Sequence, residues 1–170
     1  GTDITNSDLC YNSNADEYFV SYESSNSNLF AFGVDGGMTA MTTPVVTVSS
    51  AANTQELSAV AWNSSANEYL IVFESGQDGA GNDNLYGQRI EPADGGLLGS
   101  NFVVANQAGH EQDPETSFNV ACNSFLVVFD HLTGDGDWEI EAQEVNPDGT
   151  LDGGIFAVSL LVGRALAPVE

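Results

Sequence analysis

Positive charge is almost absent from this chain. Lysine does not occur, and Arg89 and Arg164 stand against 25 aspartates and glutamates, which gives a formal net charge of −23. Proteins that bind nucleic acid neutralise its phosphates with lysine and arginine, and basic residues also draw proteins to anionic membrane surfaces. We therefore expect no nucleic-acid partner and no attraction to an anionic membrane.

Long apolar runs and helical periodicity are missing as well. No stretch approaches the roughly 20 apolar residues that a membrane-spanning helix needs, so we expect no membrane insertion. No segment repeats its apolar residues at the spacing of an amphipathic helix. Short stretches rich in β-branched and aromatic residues alternate instead with Gly, Asn and Asp, and this pattern predicts an all-β fold.

Histidine and cysteine occur twice each, at His110, His131, Cys10 and Cys122. None of the four sits in a metal-ligand or catalytic spacing motif, and the sequence contains no nucleophile elbow or phosphate-cradling loop. The sequence therefore predicts no catalytic residues and a protein that is not an enzyme. It leaves open whether Cys10 and Cys122 are bonded to each other.

The chain does contain an internal repeat with a period of about 50 residues. Residues 11–23 return as residues 62–74 and again, less closely, as residues 118–130. Each copy reads as four short strands, which in the middle copy are predicted at 58–62, 69–73, 85–90 and 101–105. The repeat units are placed at approximately 8–55, 56–112 and 113–162 of a single repeat domain, 1–170.

Four strands in a unit of this length suit a blade of a β-propeller. A β-sandwich and a β-solenoid are the alternatives, but solenoid coils are usually shorter and a sandwich need not repeat. We predict an all-β fold with three four-stranded propeller-like blades, either open or part of a larger or oligomeric ring. Aromatic residues at two equivalent positions are expected to pack between blades: Tyr11, Trp62 and Phe118, and Tyr22, Phe73 and Phe129.

Two segments of the middle unit carry a resemblance to a known repeat. They read Asn-Glu-Tyr-Leu-Ile-Val-Phe-Glu at 67–74 and Asn-Leu-Tyr-Gly-Gln-Arg-Ile at 84–90. They resemble β-propeller-type blades of large secreted bacterial and archaeal surface proteins, in which an N-E-Y-L-V-V strand precedes a D-I-Y-G-Q-R strand. The likeness spans nearly the whole chain, although Phe32-Gly33 and Gln143-Glu144 replace Gln-Arg in the outer units. It implies a propeller scaffold outside the cell and no particular reaction.

Three blades are too few to close a ring, because propellers have about four blades or more. An unclosed set leaves strand edges with unpaired N–H and C=O groups, which invite pairing with another chain. Residues 163–170 read as the start of a further unit or as a tail between subunits. The expected partners are therefore further copies of the chain, joined head to tail, or the remainder of a longer chain.

Two acidic loops between second and third strands are the candidate calcium sites. Calcium takes about six to eight oxygen ligands on a loop flexible enough to fold around it. The carboxylates that could supply them are Asp78 and Asp83 in the second unit, and Asp135, Asp137 and Glu139 in the third. Calcium is thus the one cofactor considered, and a solvated acidic turn is the alternative.

Trp138 interrupts the acidic loop of the third unit and has no aromatic counterpart in the other two. An aromatic face beside carboxylates suits a sugar, so Trp138, Asp135 and Asp137 are the candidate contacts to a glycan. Asn63 begins an Asn-Ser-Ser sequon in a predicted turn, where it would be an exposed glycosylation acceptor.

The sequence predicts a protein at the cell surface or outside the cell. A net charge of −23 repels itself unless cations screen it, which favours salty or divalent-rich surroundings. The polar opening Gly1-Thr2-Asp3 is what we expect of a mature or trimmed chain. The predicted function is a structural or adhesive repeat module. The alternatives are a calcium-dependent glycan-binding propeller and a fragment of a glycoside hydrolase-type propeller.

Overall fold

The computed structural model describes residues 3–79 and 82–158. These residues form three four-stranded antiparallel sheets in which the strand order follows the chain. Sheet 1 contains β1 (Ile4–Asn12), β2 (Glu17–Ser24), β3 (Leu29–Asp35) and β4 (Val46–Ser49). Sheet 2 contains β5 (Gln55–Asn63), β6 (Glu68–Ser75), β7 (Asn84–Ile90) and β8 (Leu97–Ala105). Sheet 3 contains β9 (Glu111–Asn119), β10 (Ser124–Leu132), β11 (Trp138–Val145) and β12 (Leu151–Ala157).

The predicted fold class is confirmed: the chain is all-β, with three open four-stranded blades. Two parts of the sequence prediction fall outside the described residues. They are the end of the third unit, 159–162, and the expected start of a further unit or tail, 163–170.

Each sheet packs face to face against the next sheet along the chain. We call the face that a sheet turns towards the preceding sheet its leading face, and the opposite face its trailing face. The seam between sheets 1 and 2 is built from Phe19, Leu29, Ala31 and Val48 on the trailing face of sheet 1, and Val60, Tyr69, Ile71, Phe73, Tyr86 and Ile90 on the leading face of sheet 2. The second seam joins Ala61, Leu70, Val72, Leu85, Val104 and Ala105 of sheet 2 to Phe125, Val127, Phe129 and Val145 of sheet 3.

The continuously apolar β6 follows from this stacking. Tyr69, Ile71 and Phe73 face sheet 1, whereas Leu70 and Val72 face sheet 3, and all five are fully buried. A strand covered on both faces loses the polar and apolar alternation of a half-exposed strand. The equivalent strands β2 and β10 keep that alternation, because sheets 1 and 3 are each covered on one face by the described residues.

The predicted packing of aromatic residues between blades is confirmed for Phe73 and Phe129, which are almost completely buried. The prediction is wrong for Tyr11, which is 45% exposed and donates a hydrogen bond of 2.8 Å from its hydroxyl to Asp16. Tyr22 is only half-buried. The reason is the same for both residues: they lie on the leading face of sheet 1, which no described sheet covers.

The hydrogen bonds of Gln88 give the glutamine of the Gln-Arg pair a structural role. Its buried side-chain amide donates to the backbone carbonyl of Arg89 at 2.8 Å and accepts from Asn101 at 2.7 Å. The pairing of β7 with β8 skips a residue between Gly87 and Arg89, and such a bulge leaves backbone groups in need of partners. Gln143 does the same in sheet 3, donating to the carbonyls of Glu144 and Asp152 at 2.9 and 3.0 Å.

Replacing Gln88 with leucine is expected to lower the free energy of unfolding by about 2–3 kcal/mol, because it removes the side-chain donor to the Arg89 carbonyl and the nearer of the two acceptors of the Asn101 amide. Urea denaturation measures the change. Phe32→Leu is the matched control, since Phe32 holds the equivalent position in sheet 1, where the pairing of β3 with β4 ends at Ala31 and leaves no bulge at Phe32. Equal losses for the two variants would contradict a bulge-satisfying role for Gln88.

Both cysteines are free in this structure. Cys10 is partly buried against the first seam and Cys122 is exposed in the turn between β9 and β10. The described part of the chain also holds no helix whose length and hydropathy would let it traverse a membrane.

Candidate functional site

The first strands of the three sheets lie side by side, with β5 between β1 and β9. We call the region that these three strands line the centre of the arc of sheets. All three strands are nine residues long, and each ends at the recurring asparagine, so they align residue for residue along the repeat. Residues at the same repeat position in β1, β5 and β9 are therefore expected at the same level along the centre of the arc. In a propeller this is the lining of the central channel.

Each first strand contains an irregularity at the same position. The pairing to the second strand skips residues between Thr5 and Asp8 in sheet 1, and between Glu56 and Ala59 in sheet 2. The bulged residues have positive φ angles, 45° at Asn6, 43° at Leu57 and 51° at Asp113.

A left-handed backbone costs a residue with a Cβ atom about 1–2 kcal/mol. Asn and Asp offset part of this cost by local hydrogen bonding, but a leucine does not. Leu57 is therefore the most strained of the three. Backbone strain of this kind clusters at functional sites, and here it occurs three times at one depth. The bulges mark the centre of the arc as the candidate site.

The three bulges open onto one cavity of about 250 Å³. All three sheets contribute to its wall, which mixes carboxylate, amide and hydroxyl groups with a few apolar atoms. The lining residues are Asn6, Ser7, Leu57, Ser58, Asp113, Pro114 and Glu115.

Hydrogen bonds across the seam between sheets 1 and 2 fix one side of the cavity. The Asp8 carboxylate accepts the backbone N–H of Val60 at 2.8 Å, and the hydroxyls of Ser58 and Ser21 are 2.9 Å apart. Within sheet 1, the Asn6 amide donates to Glu23 at 2.7 Å. These contacts hold the bulges of two sheets in a fixed relation.

Glu74 holds the opposite side of the cavity in place. Its buried carboxylate accepts the backbone N–H of Asp113, the bulged residue of sheet 3, at 2.7 Å. Burial raises the pKa of Glu74 to about 8, and the negative charges of Glu56, Asp113 and Asp83 add to the rise, against the opposing effect of the Asp113 N–H. Glu74 is thus a carboxyl group that still carries a proton near neutral pH.

The neighbouring carboxyl groups differ in their surroundings. Glu56 is the cross-strand partner of Glu74, and its pKa is raised by burial and then by the charges of Glu23 and Asp83. Asp113 and Glu115, in contrast, are exposed at the cavity. The site therefore combines solvent-facing carboxyl groups with a protonated carboxyl group directly behind them.

A second polar cluster lies where the connection from sheet 2 enters sheet 3. The backbone N–H of Gln107 donates to Glu111 at 2.7 Å, and its side-chain amide donates to Glu141. His131 is buried, with Nδ1 3.2 Å from Glu141 Oε2 and Nε2 3.3 Å from the Ala108 carbonyl oxygen. Burial raises the pKa of Glu111. These contacts tie the connection to β10 and β11, which is a structural role.

The residues predicted to contact a glycan lie outside the cavity. Trp138 begins β11 and is 51% exposed, opposite Leu132 on the neighbouring strand. Asp135 and Asp137 are exposed in the turn before it, where the Asp137 carbonyl accepts the backbone N–H of Thr133 at 2.9 Å. All three residues lie at the rim of sheet 3, and their contact with a glycan stays a prediction.

The predicted calcium ligands do not converge in the described residues. Asp78 accepts hydrogen bonds from Asn84 and Tyr86 at 2.6 and 2.7 Å, whereas Asp83 pairs with His110 at 3.2 Å. Glu139 lies in β11. Within residues 3–79 and 82–158, no three His, Cys, Asp or Glu side chains are grouped as a metal site requires. A calcium site therefore stays a prediction.

Asn63 corrects the expectation of an exposed glycosylation acceptor. Its side chain is fully buried at the end of β5, and its oxygen accepts the backbone N–H groups of Ser65 and Ala66, both at 2.9 Å. Asn12 and Asn119 make the same contacts in the other two sheets. The asparagine is a turn-forming residue of the repeat, so a sugar on Asn63 is incompatible with the folded turn.

The bulges lie outside the strands predicted from the sequence, because the first strand of the middle unit was predicted to begin at Ser58. The bulged residues Asn6 and Leu57 lie on the N-terminal side of that boundary. Their side chains differ, so no shared residue type marks the position. Aligning the first strands backwards from the recurring asparagine at Asn12, Asn63 and Asn119 would have brought them together.

No known protein-family profile and no curated protein sequence matches this chain. Several solved structures share its fold. An N-acetylgalactosamine deacetylase from F. plautii superposes with a TM-score of 0.64 at 6% identity, over 89% of this chain and 51% of the other. An endo-arabinase from Bacteroides thetaiotaomicron gives 0.62 at 11% identity, over 89% of this chain and 61% of the other. A GH43 glycoside hydrolase with endo-xylanase and exo-arabinofuranosidase activity gives 0.59 at 9% identity, over 92% and 29%.

These comparisons overturn the prediction that the chain is not an enzyme, because the structures of similar fold are glycoside hydrolases or a deacetylase. They give no support to the adhesive repeat module. The chain spans 29–61% of the length of these three structures. Identities this low show the fold alone, which is that of β-propeller blades.

Proposed function

We propose that this chain forms part of a glycan-acting propeller of the glycoside hydrolase type, with the central cavity as its sugar site. The observation that carries the proposal is the convergence of three strained first-strand bulges on one cavity lined by carboxyl, amide and hydroxyl groups. The enzymes named above support it, because their fold is the fold of this chain and their names specify glycans as substrates.

The cavity has the chemistry that a sugar needs. Sugar hydroxyls bind side chains that both donate and accept hydrogen bonds, and Asn6, Ser7 and Ser58 offer such groups at the wall. Asp113 and Glu115 add carboxylates, which accept from hydroxyl groups more strongly than neutral acceptors do. We assign Asp113 and Glu115 the direct contacts to the sugar.

Glu74 supports this site from behind. Glycoside hydrolysis uses two carboxyl groups in different protonation states, one to give a proton and one to act as base or nucleophile. Glu74 keeps its proton near neutral pH, and it touches the cavity wall through the Asp113 N–H. Its role in the proposal is to position Asp113 and to limit the negative charge at the site.

The proposal also locates the protein outside the cell. A net charge of −23 with no lysine is suited to surroundings in which salt screens self-repulsion. Polymeric glycans, the proposed ligands, also occur outside cells.

Binding and hydrolysis of arabinan, xylan and galactan test the proposal, with affinity electrophoresis and release of reducing ends as the measurements. Wild-type protein is expected to bind at least one of these polymers. Asp113→Asn and Glu115→Gln should each weaken that binding by about 10-fold or more, because each removes a charged acceptor. Asn tolerates the positive φ at position 113, so the bulge survives the substitution.

Glu91→Gln is the matched control, since Glu91 is an exposed carboxylate just after β7 and outside the cavity. It removes the same charge and should leave binding unchanged. Wild-type protein that binds none of the polymers, or cavity variants that bind as the wild type does, would contradict the proposal.

A further inference from the structure

The leading face of sheet 1 is an apolar surface without a cover in the described chain. Leu9 is 56% exposed and Met38 is 75% exposed. Together with Tyr18, Val20 and Val34 they line a groove of about 350 Å³. A patch of this kind on a chain with 25 acidic residues needs an explanation.

The repeat shows what covers this face in the other two sheets. Tyr18, Val20 and Tyr22 are half-buried on sheet 1. In sheets 2 and 3 the equivalent residues are almost completely buried by the trailing face of the preceding sheet, and they are Tyr69, Ile71 and Phe73, and Phe125, Val127 and Phe129.

The trailing face of sheet 3 is the complementary surface. Leu126 and Val128 occupy the positions of Leu70 and Val72, which are fully buried against sheet 3 in the second seam. In sheet 3 itself, Leu126 is 42% exposed, and with Val128 it lines a shallow groove of about 240 Å³. The described chain therefore presents both halves of a seam that it forms twice internally.

We propose that the leading face of sheet 1 docks on the trailing face of sheet 3 of a second copy of this chain. The internal seams give the contacts. Phe19 stacks on Tyr69 in the first seam, with ring centroids 4.1 Å apart, and Leu70 packs with Phe125 in the second. By the same register, Leu126 of one copy packs on Tyr18 of the other.

The register also supplies a partner for the Tyr18 hydroxyl. In the first seam the equivalent hydroxyl, that of Tyr69, donates to Glu17 of the preceding sheet. Ser124 holds the position of Glu17 in sheet 3, and its hydroxyl donates to Glu144. The Tyr18 hydroxyl of the second copy thus meets an acceptor pair, Ser124 and Glu144, rather than a purely apolar surface.

Charge sets the conditions for this association. Each copy carries a net charge of −23, so two copies repel one another at low ionic strength. At about 1 M salt the screening length falls to about 3 Å, and contact between apolar faces then decides the outcome. Association is therefore expected to strengthen steeply with salt. Two copies would present six sheets, a number within the range of closed propellers.

Analytical ultracentrifugation at low salt and at about 1 M NaCl tests the inference. Wild-type protein should have the mass of one 17.9 kDa chain at low salt and at least twice that mass at high salt. Leu126→Glu and Leu9→Glu, one on each face, should each weaken association at least about 100-fold, because each buries an unpaired charge in the seam. Val120→Glu is the matched control, since Val120 is 67% exposed in the β9–β10 turn.

A mixture of the two face variants makes the test specific. Each variant keeps one intact face, so a head-to-tail seam predicts that Leu126→Glu and Leu9→Glu form a one-to-one dimer when mixed. Wild-type protein that stays a single chain at high salt would overturn the inference. So would association that survives both substitutions, or a mixture that fails to form the dimer.

The assembly test is separate from the test of the proposed function. A chain that assembles but binds no glycan would contradict the proposed function and support this inference. A chain that binds glycan and stays a monomer under all salt conditions would support the proposed function and contradict this inference.

Discussion

Replacing Phe73 with alanine is expected to lower the free energy of unfolding by about 3–5 kcal/mol. The ring is fully buried in the seam between sheets 1 and 2, where it packs with Tyr86 at a centroid distance of 6.3 Å. Truncation removes its contacts with both sheets and leaves a cavity that the rigid strands around it cannot close. Urea denaturation monitored by circular dichroism measures the loss.

The repeat provides the control for Phe73. Phe129→Ala changes the equivalent buried residue in sheet 3 and should cost a similar amount, whereas Tyr22→Ala changes the half-buried one in sheet 1 and should cost about 1 kcal/mol. The measurement belongs at low salt and low protein concentration, where copies stay apart. Three equal losses would show that the leading face of sheet 1 is covered, contrary to the structure.

Glu74→Gln is expected to remove most of a pH dependence of stability. The pKa of Glu74 rises from 4.5 to about 8 on folding, mainly because the carboxyl is buried. Between these values the folded chain holds a proton that the unfolded chain has released, so the stability of the wild type falls as the pH rises through this window. The loss above about pH 8 is on the order of 4 kcal/mol.

The variant should be close to wild type at about pH 5, where Glu74 is protonated in the folded chain, and more stable by a few kcal/mol at about pH 9. Glutamine keeps an oxygen that accepts the Asp113 N–H and carries no charge. Glu91→Gln, which removes an exposed carboxylate, should follow the wild-type profile. Parallel profiles for Glu74→Gln and wild type would show that Glu74 is already solvated and ionised at neutral pH.

The repeated architecture was readable from the sequence because local patterns carry it. Each unit places apolar stretches and Asx turns in the same order, and each of these features depends only on neighbouring residues. The apolar stretch of β6 is unbroken, which is the pattern of a strand covered on both faces, and sheet 2 lies between the two other sheets.

The bulges at the centre of the arc could not be predicted from local sequence patterns. Asn6, Leu57 and Asp113 share a backbone conformation but no side-chain type, so no pattern marks them. The acid-rich loops were predicted as sites because closely spaced carboxylates can be recognised in the sequence. The raised pKa of Glu74 instead comes from burial between two sheets, and burial is a property of the assembled seam.

The sequence by itself determined the secondary structure, the number of blades and their order, because strand pairing within each blade joins segments that are neighbours in the chain. Only the tertiary structure decided which faces are covered and which carboxyl groups meet. Those outcomes depend on how whole sheets stack. Residues more than 35 positions apart, such as Glu74 and Asp113, whose backbone N–H the Glu74 carboxyl accepts, come together only then.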